Sequence, residues 1–381
     1  LWESQRQLAE DGVLLPGGSR QAQRRAVWDL LGKRIHGVEE AKVPGAWQEL
    51  VESARQWTGR QLLLSEELLV NARPAHVRRI VRDFEPAEVQ VVVTVRDLAR
   101  VIGSMWQQEL SRGRTWGWSE FVAAVRDPEQ GPATAGVVFW LRHLNTVLAT
   151  WSSAVSPERI HVVVVPPAGS PSTRILELFA AATEIEVSTL TPTSKPGNPS
   201  VGVAESEVLR RLNEGLDGRL NERQYRRMIS QAVKPVLQKR TSSTRVRLPE
   251  SERAWVTERS NEMVELLENG PYDIVGDLGD LLPTDDVYAR RGADQVTDKD
   301  LAEAAIASLT ATVEQYAAYW WRTKKRDQSS EASKRERIAS ASRALGYRTR
   351  LGALERADRN PMLARAARMY LRWTTRRAPG T

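Results

Sequence analysis

The sequence predicts an α/β protein built on a parallel sheet flanked by helices, with a basic helical extension behind it. Three observations carry this expectation. Val89, Val91, Val92, Val93 and Val95 form a β-branched run too dense in apolar residues to leave a solvated face, as in a parallel strand covered on both sides. A second run, Ile160 to Val165, stops at Pro166 and Pro167. Segments with apolar residues at helical spacing alternate with such runs, which is the order of right-handed crossovers on a parallel sheet.

Taken in order, Leu1, Trp2 and Leu8 read as the last turns of a helix, Gly12 as a turn and Val13 to Leu15 as a short strand. Residues 20–59 read as helical, broken at Pro44 and Gly45. Leu62 to Leu64 form a short buried strand, after which Ser65 can cap a helix starting at Glu66 and Glu67. The valine run ends at Arg96, and Asp97 can cap a helix with Leu98, Val101, Ile102 and Met105 on one face. Residues 139–151 and 175–182 are expected as helices on either side of the second valine run. Three more follow at 205–220, 225–237 and 250–268, the last stopped by Asn269, Gly270 and Pro271. His161, within the second run, reads as structural. Beyond Asp286 a long helix is expected over 298–325, so the domains are drawn at 1–285 and 286–381.

Composition narrows the function classes. The chain has 381 residues and no cysteine, which excludes disulfides and cysteine metal sites, and His36, His76, His143 and His161 show no ligand spacing. No run of about 18 apolar residues and no signal peptide is visible, so a cytoplasmic location is expected. The net charge is +7, but residues 321–381 alone hold 17 Lys plus Arg against 5 Asp plus Glu, or +12, leaving −5 for the rest. The basic character therefore belongs to the tail. Leu351, Leu354, Met362, Leu363 and Tyr370 give that tail an apolar face, so it is more than a charged linker.

Arg96 is placed at the carboxyl end of a buried strand, where open α/β sheets bind ligands. Ser104 follows about two helical turns later, on a helix whose amino end favours anions. A guanidinium and a hydroxyl would then face one phosphate. In this respect Arg96 and Ser104 resemble the element by which sulfotransferases hold the 3′-phosphate of 3′-phosphoadenosine 5′-phosphosulfate. With the strings GVLLPGG and GDLGDLLP, the chain resembles actinobacterial sulfotransferase-family proteins over roughly residues 1–285.

The resemblance implies a P-loop-type nucleotide-binding fold, that co-substrate, no metal, and sulfuryl transfer to an acceptor hydroxyl on a small molecule or glycan, carbohydrate or lipid. It also implies a glycine-rich loop after the first strand to cradle the 5′-phosphosulfate. The sequence departs from the family there, because Pro16 to Ser19 lacks a lysine and reads as an ordinary turn. The expectation is a fold incomplete at its amino end, lacking its first strand and loop, with a gap in the sheet where that strand belongs and with impaired activity.

By order along the chain, Ser65 and Glu66 stand where family members carry a Thr-His pair whose histidine is the general base. Glu66 is the candidate base, against a plain role at a helix start. Lys195, Asn198 and Ser200, in the segment KPGNPSVG, are candidates for a loop that closes over the nucleotide, though turn chemistry explains the same residues. Arg112, Arg114, Trp116 and Trp118 either line a substrate or pack as core. Two readings stand beside the enzyme: a non-catalytic sulfotransferase-like binding protein, and a protein whose tail binds a polyanion or an anionic membrane surface. No specific nucleic-acid signature is present, and nothing in the sequence bears on oligomeric state.

Overall fold

The computed structural model describes residues 1–32, 43–127, 143–191, 201–238, 244–289 and 296–328. Contacts divide the chain into Leu1–Thr312 and Val313–Thr381. The first unit is a helix-rich α/β arrangement with small parallel sheets. Its elements run α1 (Gln5–Glu10), β1 (Val13–Leu14), α2 (Arg20–Leu30), α3 (Ala46–Arg55), β2 (Gln61–Leu62), α4 (Pro74–Asp83), β3 (Val91–Val95), α5 (Leu98–Leu110), α6 (Trp118–Arg126) and α7 (Leu144–Trp151). Then come β4 (Ile160–Val164), α8 (Arg174–Thr183), α9 (Val203–Leu216), a helical run α10 over 222–237, β5 (Leu248–Pro249), α11 (Arg253–Glu268), β6 (Asp273–Val275), β7 (Tyr288–Ala289) and α12 (Asp298–Gln328), whose residues from Val313 on belong to the second unit.

All the paired strands are parallel, in three sheets of order β1–β2, β3–β4–β6 and β5–β7. Strands stand at the four expected places. They do not share one ladder, and the interruption falls between β2 and β3.

The end of the first pair has a local cause. Leu63 N donates to Leu14 O at 2.8 Å, but Pro16 has no N–H to donate the next rung. The fully buried carboxamide of Gln23 replaces it: Nε2 donates to Pro16 O and Leu63 O, both at 3.2 Å, and Oε1 accepts from Ser65 N at 2.9 Å. The chain then leaves the ladder for a short 3-10 helix, Glu67–Asn71.

The valine run that looked most buried is an edge. β3 pairs with β4 alone, and Thr94 in its middle is exposed. The central strand is β4, paired on both sides, with Ile160, Val162 and Val164 packed into one apolar cluster and Val163 into another. Dense valine content marks both strands, and which one acquires a second neighbour depends on β6, whose sequence DIV carries little of that signal. Across the amino ends of this sheet His161 Nδ1 lies 2.7 Å from Asp273 Oδ2 and its Nε2 lies 3.2 Å from Gln90 Oε1, a row of polar contacts spanning β4, β6 and the lead into β3.

Two large cores flank the strands. One gathers Val91, Val95 and β4 with Trp47, Leu50, Ile80 and Leu148 from α3, α4 and α7. The other joins α5, α6, α9 and α10 around Trp106, Trp118 and Phe121, each at most 1 % exposed. Aromatic burial of this kind supplies about 1.5–3 kcal/mol per side chain. The helices at 20–30, 46–55, 174–183 and 253–268 fall where periodicity placed them. Arg226–Val233 is π-helical, a geometry that hydrophobic spacing does not signal.

Candidate functional site

The site is built where β3 ends. Arg96 is the first residue past the strand, and Asp97 caps α5 as expected, its Oδ1 accepting from Arg100 N at 2.9 Å. The Asp97 side chain is only 2 % exposed and holds two guanidiniums, Arg100 at 3.1 Å and the Arg96 Nε at 3.8 Å. Arg100 reaches past it to Asp286 at 3.3 Å. A third cation, Arg245, stands near enough to bear on Arg96. Burial pushes the Arg96 guanidinium below the ordinary arginine range, Asp97 opposes this, and Arg100 and Arg245 add to the lowering.

Arg96 and Arg100 thus share Asp97 at the amino end of a 13-residue helix, with Arg100 also on Asp286 and Arg245 close by. The dipole of such a helix also favours negative charge there. An anion with several oxygens would relieve the repulsion among the arginines and take up donors that Asp97 and Asp286 leave over.

Ser104 lies on α5 and is exposed. Seven residues beyond Asp97, it returns to the same helical face, roughly 10 Å further along the axis. The segment carrying Arg245 crosses this helix beside it. Val203 N donates to Thr244 O at 2.8 Å, and a Cβ on Gly103 would stand 3.7 Å from Val246 Cγ1. Arg245 and Asp286 are residues that sequence reasoning missed. Neither has a spacing that ties it to Arg96; they arrive through the β5–β7 pairing, in which Leu248, three residues after Arg245, stands opposite Tyr288, two residues after Asp286.

Glu66 is placed elsewhere. It is the cap of the 3-10 helix after β2, a correction to the expected cap at Ser65, whose backbone N–H is taken by Gln23. Glu66 Oε1 accepts from Leu68 N at 3.4 Å and Oε2 faces Arg24 Nε at 3.3 Å. β2 belongs to a different ladder from β3, so Glu66 and Arg96 are not neighbouring strand ends of one sheet. Asn198 and Ser200, with Lys195, lie outside the described residues.

The tryptophan loop divides: Trp118 is buried in the core, Arg112 and Arg114 are exposed, and Trp116 is half-buried beside a cleft. Trp106 donates its Nε1 to Trp116 O at 2.9 Å and packs on Trp118 with ring centroids 5.1 Å apart, while Arg114 stands over the Trp116 ring and Arg112 pairs with Glu109. The cleft, of about 500 Å³, is lined by Trp116 and its neighbours Thr115 and Gly117 together with Glu120, Glu207, Glu214 and Arg210, and Arg210 is already paired with Glu207 and Glu214. That cleft is wide and its three carboxylates outnumber its one guanidinium, so for an anionic ligand the Arg96 cluster is the better candidate.

Among the described residues no group of three or more acidic or histidine side chains is placed to hold a metal ion, and no helix is long and apolar enough to cross a membrane. Comparisons with protein-family models, with curated proteins and with solved structures find no match to this chain.

Proposed function

We propose that the carboxyl end of β3 binds the 3′-phosphate of 3′-phosphoadenosine 5′-phosphosulfate, or of the nucleotide left after transfer, and that the chain is sulfotransferase-like. The observation that carries this reading is the gathering of Arg96, Arg100 and Arg245 at the start of α5, where Asp97 holds the first two and Asp286 holds Arg100. The donors suit a phosphate dianion. Ser104, Asn198 and Ser200 are further candidate contacts.

Transfer itself would form a bond from an acceptor oxygen to sulfur as the bond to the 5′-phosphate oxygen breaks, with the acceptor proton leaving to a base. Catalysis of such a step is mainly alignment and charge stabilisation, by analogy with phosphoryl transfer. The chain fits half of this requirement. It offers cations for the 3′-phosphate, and no glycine-rich loop with a lysine for the phosphosulfate. Glu66 could accept the proton only after giving up Arg24.

Isothermal titration with 3′-phosphoadenosine 5′-phosphate and with adenosine 5′-phosphate tests the reading. Tighter binding of the former, lost in Arg96→Ala, is expected. Equal affinity for the two nucleotides would end the assignment.

A further inference from the structure

Arg100 holds its two carboxylates on different terms. Its Nη1 lies 3.1 Å from Asp97, whose side chain is 2 % exposed and also accepts from the Arg100 N–H at 2.9 Å, so this end of the guanidinium is fixed. Its Nη2 meets the two oxygens of Asp286 at 3.5 and 3.3 Å, where charge-assisted hydrogen bonds usually close to about 2.7–2.9 Å. The Asp286 side chain is 59 % exposed, against 16 % for Arg100. A largely buried donor is therefore aimed by Asp97 and loosely occupied by Asp286.

Asp286 can let go of Arg100 without being stranded. The Thr284 hydroxyl donates to its Oδ1, and this bond is the main cause that holds the Asp286 carboxyl below the usual carboxylate range; burial opposes it and Arg100 adds less. The released group thus stays ionised, with Thr284 on one oxygen and water on the other. The backbone need not follow, because Val287 and Tyr288 are buried and β7 is paired with β5. A turn of one side chain is enough. The other carboxylate of the same turn, Asp285, is engaged elsewhere: it accepts from Arg253 Nη1 at 2.7 Å, and Arg253 also holds Glu250 and lies over the Tyr288 ring.

We propose that Asp286 is a resident competitor at the arginine cluster, standing on Arg100 in the place that a ligand phosphate takes, so that the phosphate binds by displacing this carboxylate. The inference rests on the reading of the cluster as a phosphate site and adds the residue that sets how tightly the site holds its ligand. A phosphate in that place reaches a second guanidinium, since Arg96 faces the same Asp97 oxygen as Arg100, at 3.8 Å. Asp286 compensates the cations while the site is empty. It retakes Arg100 when the ligand leaves, which eases release.

Titration of the full chain with inorganic phosphate, at constant ionic strength in mildly alkaline buffer where phosphate is a dianion, tests the proposal. Asp286→Asn, which keeps the shape and the Thr284 contact, is expected to bind phosphate about 2- to 5-fold more tightly, the range set by an exposed ion pair. Asp285→Asn makes the same charge change on the same turn and should leave the affinity unchanged. A second measurement needs no variant: in the parent chain the amide resonances of 284–288 should shift together with those of 97–100 as phosphate binds. Unchanged or weaker affinity in Asp286→Asn, an equal gain in Asp285→Asn, shifts at 97–100 with none at 284–288, or no phosphate binding by the parent and Asp286→Asn alike would each overturn the proposal. The nucleotide reading fails separately. Equal affinity for 3′-phosphoadenosine 5′-phosphate and adenosine 5′-phosphate ends that reading, while tighter phosphate binding by Asp286→Asn alone still supports the competitor.

Discussion

The Arg24 guanidinium lies 3.3 Å from the Glu66 carboxylate, whose side chain is 2 % exposed while that of Arg24 is 39 % exposed. The pair ties α2 to the helix that follows β2, and the same carboxylate caps that helix through Leu68 N. Glu66→Ala removes both contacts. Arg24 can rehydrate, so the ion pair is discounted, and the loss expected in urea unfolding is about 1–3 kcal/mol, mostly from the cap and the orphaned amide. If Glu66 were instead a general base, Glu66→Gln would leave stability nearly unchanged and lower turnover by roughly 10² to 10⁴.

Gln23 makes a sharper case. Its buried carboxamide serves three backbone groups at the point where Pro16 ends the β1–β2 ladder. Gln23→Leu keeps the volume and orphans all three, so a loss of at least one such penalty, about 1–3 kcal/mol, is expected. Faster amide exchange at Leu63 and Ser65 than in the parent would locate the damage. Unchanged exchange would show that solvent or a neighbouring group takes over the rung.

The helix α4 should be acid-sensitive at both ends. Arg73 N donates to His76 Nδ1 at 3.1 Å, which requires a neutral ring, and burial followed by Arg73 and Arg79 lowers the His76 pKa. A histidine with a lowered folded pKa contributes stability above its unfolded value of about 6.5, and loses it as pH falls through the folded value. At the other end Trp47 Nε1 donates to Asp83 Oδ2 at 2.8 Å. Burial alone would raise the Asp83 pKa, but the hydrogen bonds from Trp47, Arg82 and Arg79 outweigh it and the net direction is down. Its contribution is present above about pH 4 and goes as pH falls through the depressed value. Stability should therefore fall in two steps on acidification, the upper one absent in His76→Gln and the lower one absent in Asp83→Asn. A single step common to all three proteins would refute this.

What the sequence made legible follows from the range of the signals. Valine runs and 3.6-residue periodicity are local, and they located the strands at 91–95 and 160–164 and the helices that flank them. Asp97 was legible as a cap because capping is decided within four residues. Ser65 misled because the neighbouring residue, Glu66, takes the Leu68 amide instead, while the Ser65 N–H is held by Gln23, 42 residues away. The division of the strands between two ladders, the edge position of β3, and the arrival of Arg245 and Asp286 beside Arg96 all depend on pairings between distant segments, which no local pattern encodes.

Those distant arrivals supply the last prediction. If Arg96 and Arg245 act on one phosphate, each should matter only for a ligand that carries it. Hydrogen bonds to charged groups contribute about 1.5–3 kcal/mol, so Arg96→Ala and Arg245→Ala should each weaken 3′-phosphoadenosine 5′-phosphate by roughly 10- to 100-fold and leave adenosine 5′-phosphate unchanged. The two substitutions should not add. Removing either guanidinium lets the other, freed of repulsion, approach the phosphate more closely, so the double variant should lose a different amount from the sum of the singles, a coupling that double-mutant titrations resolve at about 0.5 kcal/mol or more. Arg100→Ala should behave differently, because Arg100 is held by Asp97 and Asp286; its removal frees Asp97 to draw Arg96 inward and should weaken the nucleotide, with an effect that Asp286→Ala does not reproduce. Strict additivity of Arg96→Ala and Arg245→Ala, with equal losses for both nucleotides, would show that the two cations merely raise the local potential and do not share a phosphate.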